Sequence, residues 1–403
     1  YSFFDSTFRK KTITSNEFTI KSTKDLYLPL NSNIIAGIYK SNIEQIDSAN
    51  GYLYGGEATS LTSNFKIENM AFYANLNSIF YEKTEFNLNF RIENYKINYL
   101  GKAENYYNNY YYMDSNLPTI DTVLNNNFSG FSLNLKHNFS NEVLFYGSYS
   151  RGYKAGGINQ NPILDTLNVS SSNNNNNFLF YEPEYNDNLE GGARLSMDKI
   201  KLNISLFAMQ RSNIQVQISA QKEIGNPNSF IFYTSNASKG YNRGFEIDAS
   251  YKFSNYLEFK YSLGTLDTYI DNFSYVSGQD QSGNNVITTI GGREQAMSPK
   301  FTSSVDVNFT YKQFFLKNNV SSKDSYFFSD SHDQKSNPYS ILNMSLGYQL
   351  DNFILSIWCN NVTNVKYAVR GFYFGLEPPD FSDKLYLNYG NPKEVGIKVS
   401  YKF

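Results

Sequence analysis

Apolar and polar residues alternate with period two along much of this chain, and the last nine residues show it most cleanly. Val395, Ile397, Val399, Tyr401 and Phe403 fall on one face of a strand, while Gly396, Lys398, Ser400 and Lys402 fall on the other. A soluble domain has little use for such a segment, because an exposed apolar edge recruits other chains. A closed transmembrane barrel uses both faces, with lipid against one, lumen against the other and no free edge. An edge strand of a soluble sandwich is the competing interpretation of this segment alone.

The same period recurs in strand–turn–strand units. Phe245, Ile247, Ala249, Tyr251 and Phe253 point outward between inward Glu246, Asp248, Ser250 and Lys252. A Ser254-Asn255 turn then leads to outward Leu257, Phe259, Tyr261 and Leu263. Asp198-Lys199 joins residues 189–197 to 200–209, Lys312 joins 301–311 to 314–320, and Asp351-Asn352 joins 341–350 to 353–361. Upstream, Glu82-Lys83 joins 71–81 to 85–97, and the turn 139–141 joins 131–137 to 143–151. A less regular pair, 17–22 and 34–40, flanks 25–31.

These short turns fall at one end, and long polar segments fall at the other: 41–68, 98–129, 152–181, 214–241, 271–299, 321–338 and 362–394. Short periplasmic turns opposite long extracellular loops are the asymmetry of outer-membrane barrels. Seven turns imply fourteen strands; the final strand and one within residues 1–11 raise the count to about sixteen. Several strands exceed the length that crosses the apolar band, so they project above it. The run 170–177, three serines and five asparagines, reads as a solvent-exposed loop tip. No repeat with a propeller's period accompanies the strands.

Composition sharpens this picture. The 403 residues include 35 Tyr and 33 Phe, yet mean hydropathy is -0.49. Strands with one lipid face and one wet face produce that mixture of aromatic and polar. No run of 18 apolar residues exists, which excludes a transmembrane helix and leaves a barrel open. A net charge of -2 without a basic cluster argues against nucleic acid as a partner. The single Cys359 cannot pair within the chain, and it lies in phase with Phe353, Leu355 and Ile357 as a buried or lipid-facing thiol. The chain opens on Tyr1-Ser-Phe-Phe without a signal peptide, the expectation for a processed or truncated start.

Four segments carry a resemblance to a family. Phe145-Tyr-Gly-Ser-Tyr-Ser-Arg-Gly-Tyr-Lys-Ala-Gly-Gly-Ile158 is similar to a strand-to-loop segment of the form YxSYSRGYKAGG. Trp358-Cys-Asn-Asn-Val-Thr-Asn-Val-Lys-Tyr-Ala368 resembles NLTDxxYA. Tyr389-Gly-Asn-Pro-Lys-Glu-Val395 resembles GxPRxV, with Lys393 in place of the usual Arg, and Asn16-Glu-Phe-Thr-Ile-Lys-Ser22 resembles QELRLxS. Together these segments resemble the barrel of a TonB-dependent outer-membrane receptor. The resemblance implies one domain over residues 1–403, an all-β antiparallel transmembrane barrel with about 16 of 22 strands present. Family members also carry an N-terminal plug and a short TonB-contacting segment, which are missing here. A C-terminal fragment is the expected explanation; a shortened porin-like barrel is the other.

The chemistry-bearing residues point away from catalysis. His137 lies beside the 139–141 turn, and His332 lies in Ser329-Asp-Ser-His-Asp333 within a long loop. A Ser/His pair inside one short loop is a poor triad, and no HExxH, Walker, CxxC or GxSxG element is present. No enzyme activity, cofactor or metal site is expected. Inward faces carry Arg91, Glu93, Glu190, Arg194, Glu246, Asp248, Glu258, Lys260, Asp306 and Lys398, suited to a wet channel or to pairing with a plug.

By resemblance, ligand contacts come from loop tips and the upper wall. The candidates are Arg151, Tyr153 and Lys154, then His332, Arg370 and Tyr373. Cations suit anionic groups of a ferric chelate, and Tyr offers a flat face with a hydroxyl. Gly152, Gly156 and Gly157 also fit a purely structural strand bend. The run Tyr106–Tyr112 is a second aromatic candidate. Tyr401 and Phe403 match the terminal signal read by the outer-membrane insertion machinery.

The implied function is an outer-membrane receptor and transporter in a Gram-negative bacterium. It would bind a scarce nutrient, a ferric siderophore first, then cobalamin, haem or an oligosaccharide, and import it through the TonB energy-coupling complex. The alternatives are a passive porin-like channel and a soluble β-rich binding module.

Overall fold

The computed structural model describes residues 5–22, 31–53, 58–104, 119–159, 179–223, 230–279, 282, 284–330, 332–374, 377, 379 and 384–402. The runs 106–112 and 170–177, and Phe403, lie outside these residues. The described residues are strands and their connections. Six long strands come first: β1 (Asp5–Lys21), β2 (Asn33–Leu53), β3 (Ala58–Phe80), β4 (Thr84–Glu104), β5 (Ile120–Asn138) and β6 (Val143–Lys154). After the two-residue pair β7 (Gly157–Ile158) and β8 (Phe180–Tyr181) come β9 (Glu184–Ser196), β10 (Ile200–Glu223), β11 (Phe230–Lys252) and β12 (Leu257–Ile270). A hairpin of β13 (Phe273–Gln279) and β14 (Asn285–Ile290) precedes β15 (Phe301–Tyr311) and β16 (Phe314–Lys323). A second hairpin, β17 (Phe327–Ser329) and β18 (His332–Lys335), precedes β19 (Tyr339–Leu350) and β20 (Phe353–Asn360). A third, β21 (Ala368–Phe374) and β22 (Lys384–Tyr389), precedes the last strand, β23 (Glu394–Tyr401).

One antiparallel wall runs β1-β2-β3-β4-β5-β6-β9-β10-β11-β12-β15-β16-β19-β20-β23. These are fifteen of the seventeen strands in the main sheet; β13 and β14 are the other two. The expectation of about sixteen included separate strands within 1–11 and 17–22. They are one continuous strand, because residues 12–16 hold no glycine or proline and pair without interruption with Ser41–Glu44 and Lys40.

The short turns form where the sequence places them. Tyr81 and Glu82, Lys312 and Asp351 adopt left-handed φ values of 49°, 60°, 53° and 46°. Ser140 and Ser254 cap their turns by accepting the backbone N–H groups two and three residues on. Near these turns the outward side chains are large and exposed on strand after strand, including Phe18, Ile38, Phe72, Phe90, Leu135, Leu206, Phe259, Leu346 and Ile397. Edge-to-face aromatic pairs rim the same end: Phe139 with Phe145, Tyr256 with Tyr311 and Phe314 with Tyr348, at 6.4, 5.3 and 4.9 Å between centroids. An apolar band edged by aromatics is how a barrel meets lipid.

The inward face is polar and bonded to itself. Asn75 donates to Asn89, which donates to Asn87 and Ser132. Asn319 likewise bridges Ser304 and Asp306. Of the inward charges, Arg91 pairs with Glu93, Lys260 with Glu258, Arg194 donates to Asn203, and Asp248 accepts from Ser262.

Toward the other end, the strands continue far into segments that alternation marks as loops. β2 and β3 together cover most of 41–68, and β10 and β11 cover most of 214–241. Above the apolar band both faces of a strand can be wet, so period two fades while the ladder persists. The buried apolar clusters also lie in these upper halves. One joins Ile214, Ile218, Tyr233, Ala237, Ile270 and Phe273; another joins Phe65, Ile97, Tyr99, Ile120, Ile158 and Leu179.

Candidate functional site

The loop segments at the upper end interlock into a collar. Asn159 clamps the backbone of Thr234, donating from Nδ2 to its carbonyl and accepting its N–H at Oδ1, both at 2.8 Å. This ties the β7/β8 pair to β11. The top of β10 pairs with β13 through Gln221 and Gly278. The segment after β14 reaches β17/β18: Met297 N–H donates to the Phe327 carbonyl at 2.8 Å and Ala296 N–H to Asp330 at 2.9 Å. The β17/β18 hairpin in turn meets β21, where the Tyr326 hydroxyl donates to the Val369 carbonyl at 3.2 Å.

Two arginines organise this collar. Arg293 follows Gly291 and Gly292, whose φ values of 96° and 65° favour glycine. Its side chain is 14% exposed and pairs with Asp333 at 3.1 Å. It also donates to the carbonyls of Ser329 and His332 at 2.9 and 3.0 Å, with its guanidinium 3.8 Å from the Phe327 ring centre. Arg211 donates to Glu184, whose other oxygen accepts the Gln215 N–H at 2.9 Å. Beside this pair is a cavity of about 310 Å³ lined by Arg211, Gln215, Gln295 and Asp330 with Ile218, Ile270 and Phe273. Next to Arg293, the Lys300 ammonium holds the Glu294 carboxyl below the usual carboxylate range, and Lys335 adds to this.

The structure brings together two of the expected ligand contacts. The rings of His332 and Tyr373, on different hairpins, meet edge to face at 5.2 Å. Burial pushes the His332 imidazole below its ordinary value, and the neighbouring Arg293 adds to the effect. Arg370 is exposed on β21, 5.7 Å over the Phe372 ring, on the hairpin where Phe372 stacks with Tyr386. Lys154 is exposed at the end of β6, opposite Glu184 in register.

Arg151 and Tyr153 are occupied elsewhere. Arg151 grips Asp187 with two bonds of 2.7 Å, and its cross-strand neighbour is Phe131, in phase with outward Leu133 and Leu135. Tyr153 stacks on buried Phe128 at 4.7 Å and donates to Glu93 at 2.8 Å. The glycines that follow are structural: a side chain on Gly157 would strike the Tyr181 ring. Tyr401 is exposed on β23 opposite Phe353. His137 accepts or donates to Thr84 at 2.8 Å beside a short turn.

Asn361 explains why the segment from Trp358 to Ala368 is so distinctive. Buried, with φ of 48°, it donates to the Val365 and Asn391 carbonyls and accepts the Val365 N–H. Arg211 and Arg293 are functional candidates that alternation does not reveal. The only local signal is the pair of glycines before Arg293. The chemistry on offer is hydrogen bonding, cationic charge and aromatic surface. Among the described residues no cluster of His, Cys, Asp and Glu could hold a metal.

Comparison with known proteins gives a consistent picture. The family model for the TonB dependent receptor-like beta-barrel matches residues 1–362. The ferric yersiniabactin uptake receptor FyuA from Yersinia pestis superposes with a TM-score of 0.69 at 15% identity, over 100% of this chain and 56% of that one. The siderophore receptor PiuA from Acinetobacter baumannii gives 0.66 at 13%, over 99% and 56%. The copper transporter OprC gives 0.65 at 11%, over 99% and 57%. The chain therefore spans about half the length of these structures.

Proposed function

The chain belongs to the TonB-dependent receptor-like β-barrels, and from that premise we propose that it is the barrel portion of an outer-membrane nutrient receptor in a Gram-negative bacterium. Its cargo is a small, scarce nutrient, a ferric siderophore first, imported with energy from the TonB complex. The carrying observation is the collar: five loop segments locked together around cationic and aromatic side chains above a polar lumen. A chelate with anionic donors suits Arg370 and Lys154, and the paired rings of His332 and Tyr373 suit its flat faces. Arg151 has a smaller part, since Asp187 holds it on the outward side. Tyr401, with Phe403, serves as the signal for the insertion machinery, and the apolar band rests in lipid.

Proteins of similar fold include a ferric yersiniabactin uptake receptor, a siderophore receptor and a copper transporter. Fold alone does not choose a cargo. The test uses the complete coding sequence in a Gram-negative strain stripped of its own ferric-siderophore receptors. Uptake of radioactive iron is measured with catecholate, hydroxamate and carboxylate chelates, with and without a working TonB. Uptake of one class that vanishes without TonB supports the reading. TonB-independent passage of small solutes would replace it with a porin-like channel.

A further inference from the structure

The last hairpin, β21/β22, rests on β17/β18 through few groups. The Tyr326 hydroxyl reaches the Val369 carbonyl, the Phe328 ring fills the space beside Gly371, and His332 meets Tyr373. Of these groups only His332 changes charge between about pH 5 and 8.

Its ring is held in a way that suits the neutral form. Nδ1 accepts the Gln334 N–H at 3.3 Å, which assigns the proton of the neutral ring to Nε2. Nε2 is buried and faces the Gly371 backbone, which raises the ring's proton affinity by less than burial lowers it. A second proton must enter at Nδ1, where it would face the Gln334 N–H donor. The new charge would also sit beside Arg293, which already donates to the carbonyl of His332.

The surrounding charges divide: Asp333 favours the protonated ring, and Arg293 opposes it more strongly. On its own hairpin, Asp333 is engaged by Arg293, Asp330 accepts the Ala296 N–H, and Lys335 lies over the Phe327 ring. From the preceding segment, Glu294 is engaged by Lys300 and Lys335. On the last hairpin Arg370 lies over Phe372, on the face of β21 opposite Gly371 and Tyr373.

We propose that the His332–Tyr373 contact is an acid-sensitive joint, closed when His332 is neutral and released when it is protonated, so that the last hairpin lifts from the collar. The direction follows from linkage. Burial depresses the proton affinity of His332 in the closed state, and release restores it toward its ordinary 6.5. The closed state thus binds fewer protons. Closure is at full strength above about pH 6.5 and weakens as pH falls toward the depressed value. Glu294, held below the usual carboxylate range, remains ionised through this window.

The joint can be tested without any ligand. Spin labels are placed at exposed Asn337 and Asn388 in the whole chain carrying Cys359→Ser, in lipid nanodiscs. Pulsed electron resonance then gives the distance distribution at about pH 7.5 and about pH 5. The native ring should show a longer-distance population that rises several-fold in acid. His332→Phe retains an aromatic edge without a titrating nitrogen and should stay closed at both values. Tyr373→Ala should be open at both. An unchanged distribution in the native chain, an equal acid shift in His332→Phe, or a closed Tyr373→Ala would each overturn the proposal.

Discussion

The ring of Tyr367 occupies the space that any side chain at Gly390 would need, while the Gly390 N–H donates to the Tyr367 carbonyl at 2.9 Å. Tyr367 also packs on Tyr339, 4.5 Å between centroids. Two segments that look like separate sequence motifs, around Tyr367 and around Gly390, are therefore halves of one joint. It fixes the start of the last loop, before β21, to its end, ahead of β23. Gly390→Ala should destabilise the barrel by about 1–3 kcal/mol, the usual range for overpacking a filled site. Thermal unfolding in detergent, followed by tryptophan fluorescence, would measure it. A wild-type midpoint would show that Tyr367 can swing away at no cost.

The glycines after Arg151 should separate in the same assay. A side chain at Gly152 meets nothing within 4 Å, whereas at Gly157 it would strike the Tyr181 ring. Gly152→Ala should leave the melting midpoint within error. Gly157→Ala should lower it and loosen the β7/β8 pair, seen as faster amide exchange at Ile158. Equal effects at the two positions would contradict the packing account.

How much of this was legible in sequence follows from where water is. On β11, Phe245, Ile247 and Tyr251 alternate with Glu246, Asp248 and Ser250 because one face meets the apolar band and the other the lumen. From Arg243 upward that contrast disappears, and so does the signal, although the ladder runs on to Phe230. The collar was legible only as scattered residues. His332 and Tyr373 are forty-one positions apart in the numbering and share no local pattern. The capture of Arg151 by Asp187 was equally hidden, because the partner lies on the neighbouring strand, 36 residues away.

Asn361 offers a way to weigh backbone strain against hydrogen bonding. Its φ of 48° costs a non-glycine residue about 1–2 kcal/mol, and its amide serves three backbone groups. Asn361→Ala should lose both advantages, because asparagine tolerates this conformation better than alanine. Asn361→Gly should recover roughly 1 kcal/mol of that loss through its freedom at positive φ. Equal midpoints for the two variants would mean that the hydrogen bonds account for the whole effect.

The Arg211–Glu184 pair should matter far more than the Arg243–Asp267 pair, although both look alike on paper. Glu184 is 11% exposed and Arg211 27%, against 64% and 55% for Arg243 and Asp267. In the first pair the carboxylate also holds the Gln215 N–H, so Glu184→Gln leaves donors short of acceptors in a sheltered place. The expected cost is about 1–3 kcal/mol, the penalty for an unsatisfied buried group. Replacing both partners, Arg211→Met with Glu184→Gln, should restore part of it, since the uncompensated charge is then gone. Asp267→Asn should leave the midpoint unchanged, because solvent screens an exposed pair. A double-mutant cycle on each pair measures the difference. Similar coupling energies in the two would mean that water reaches Arg211 as freely as it reaches Arg243, and the collar would then be looser than its hydrogen bonds imply.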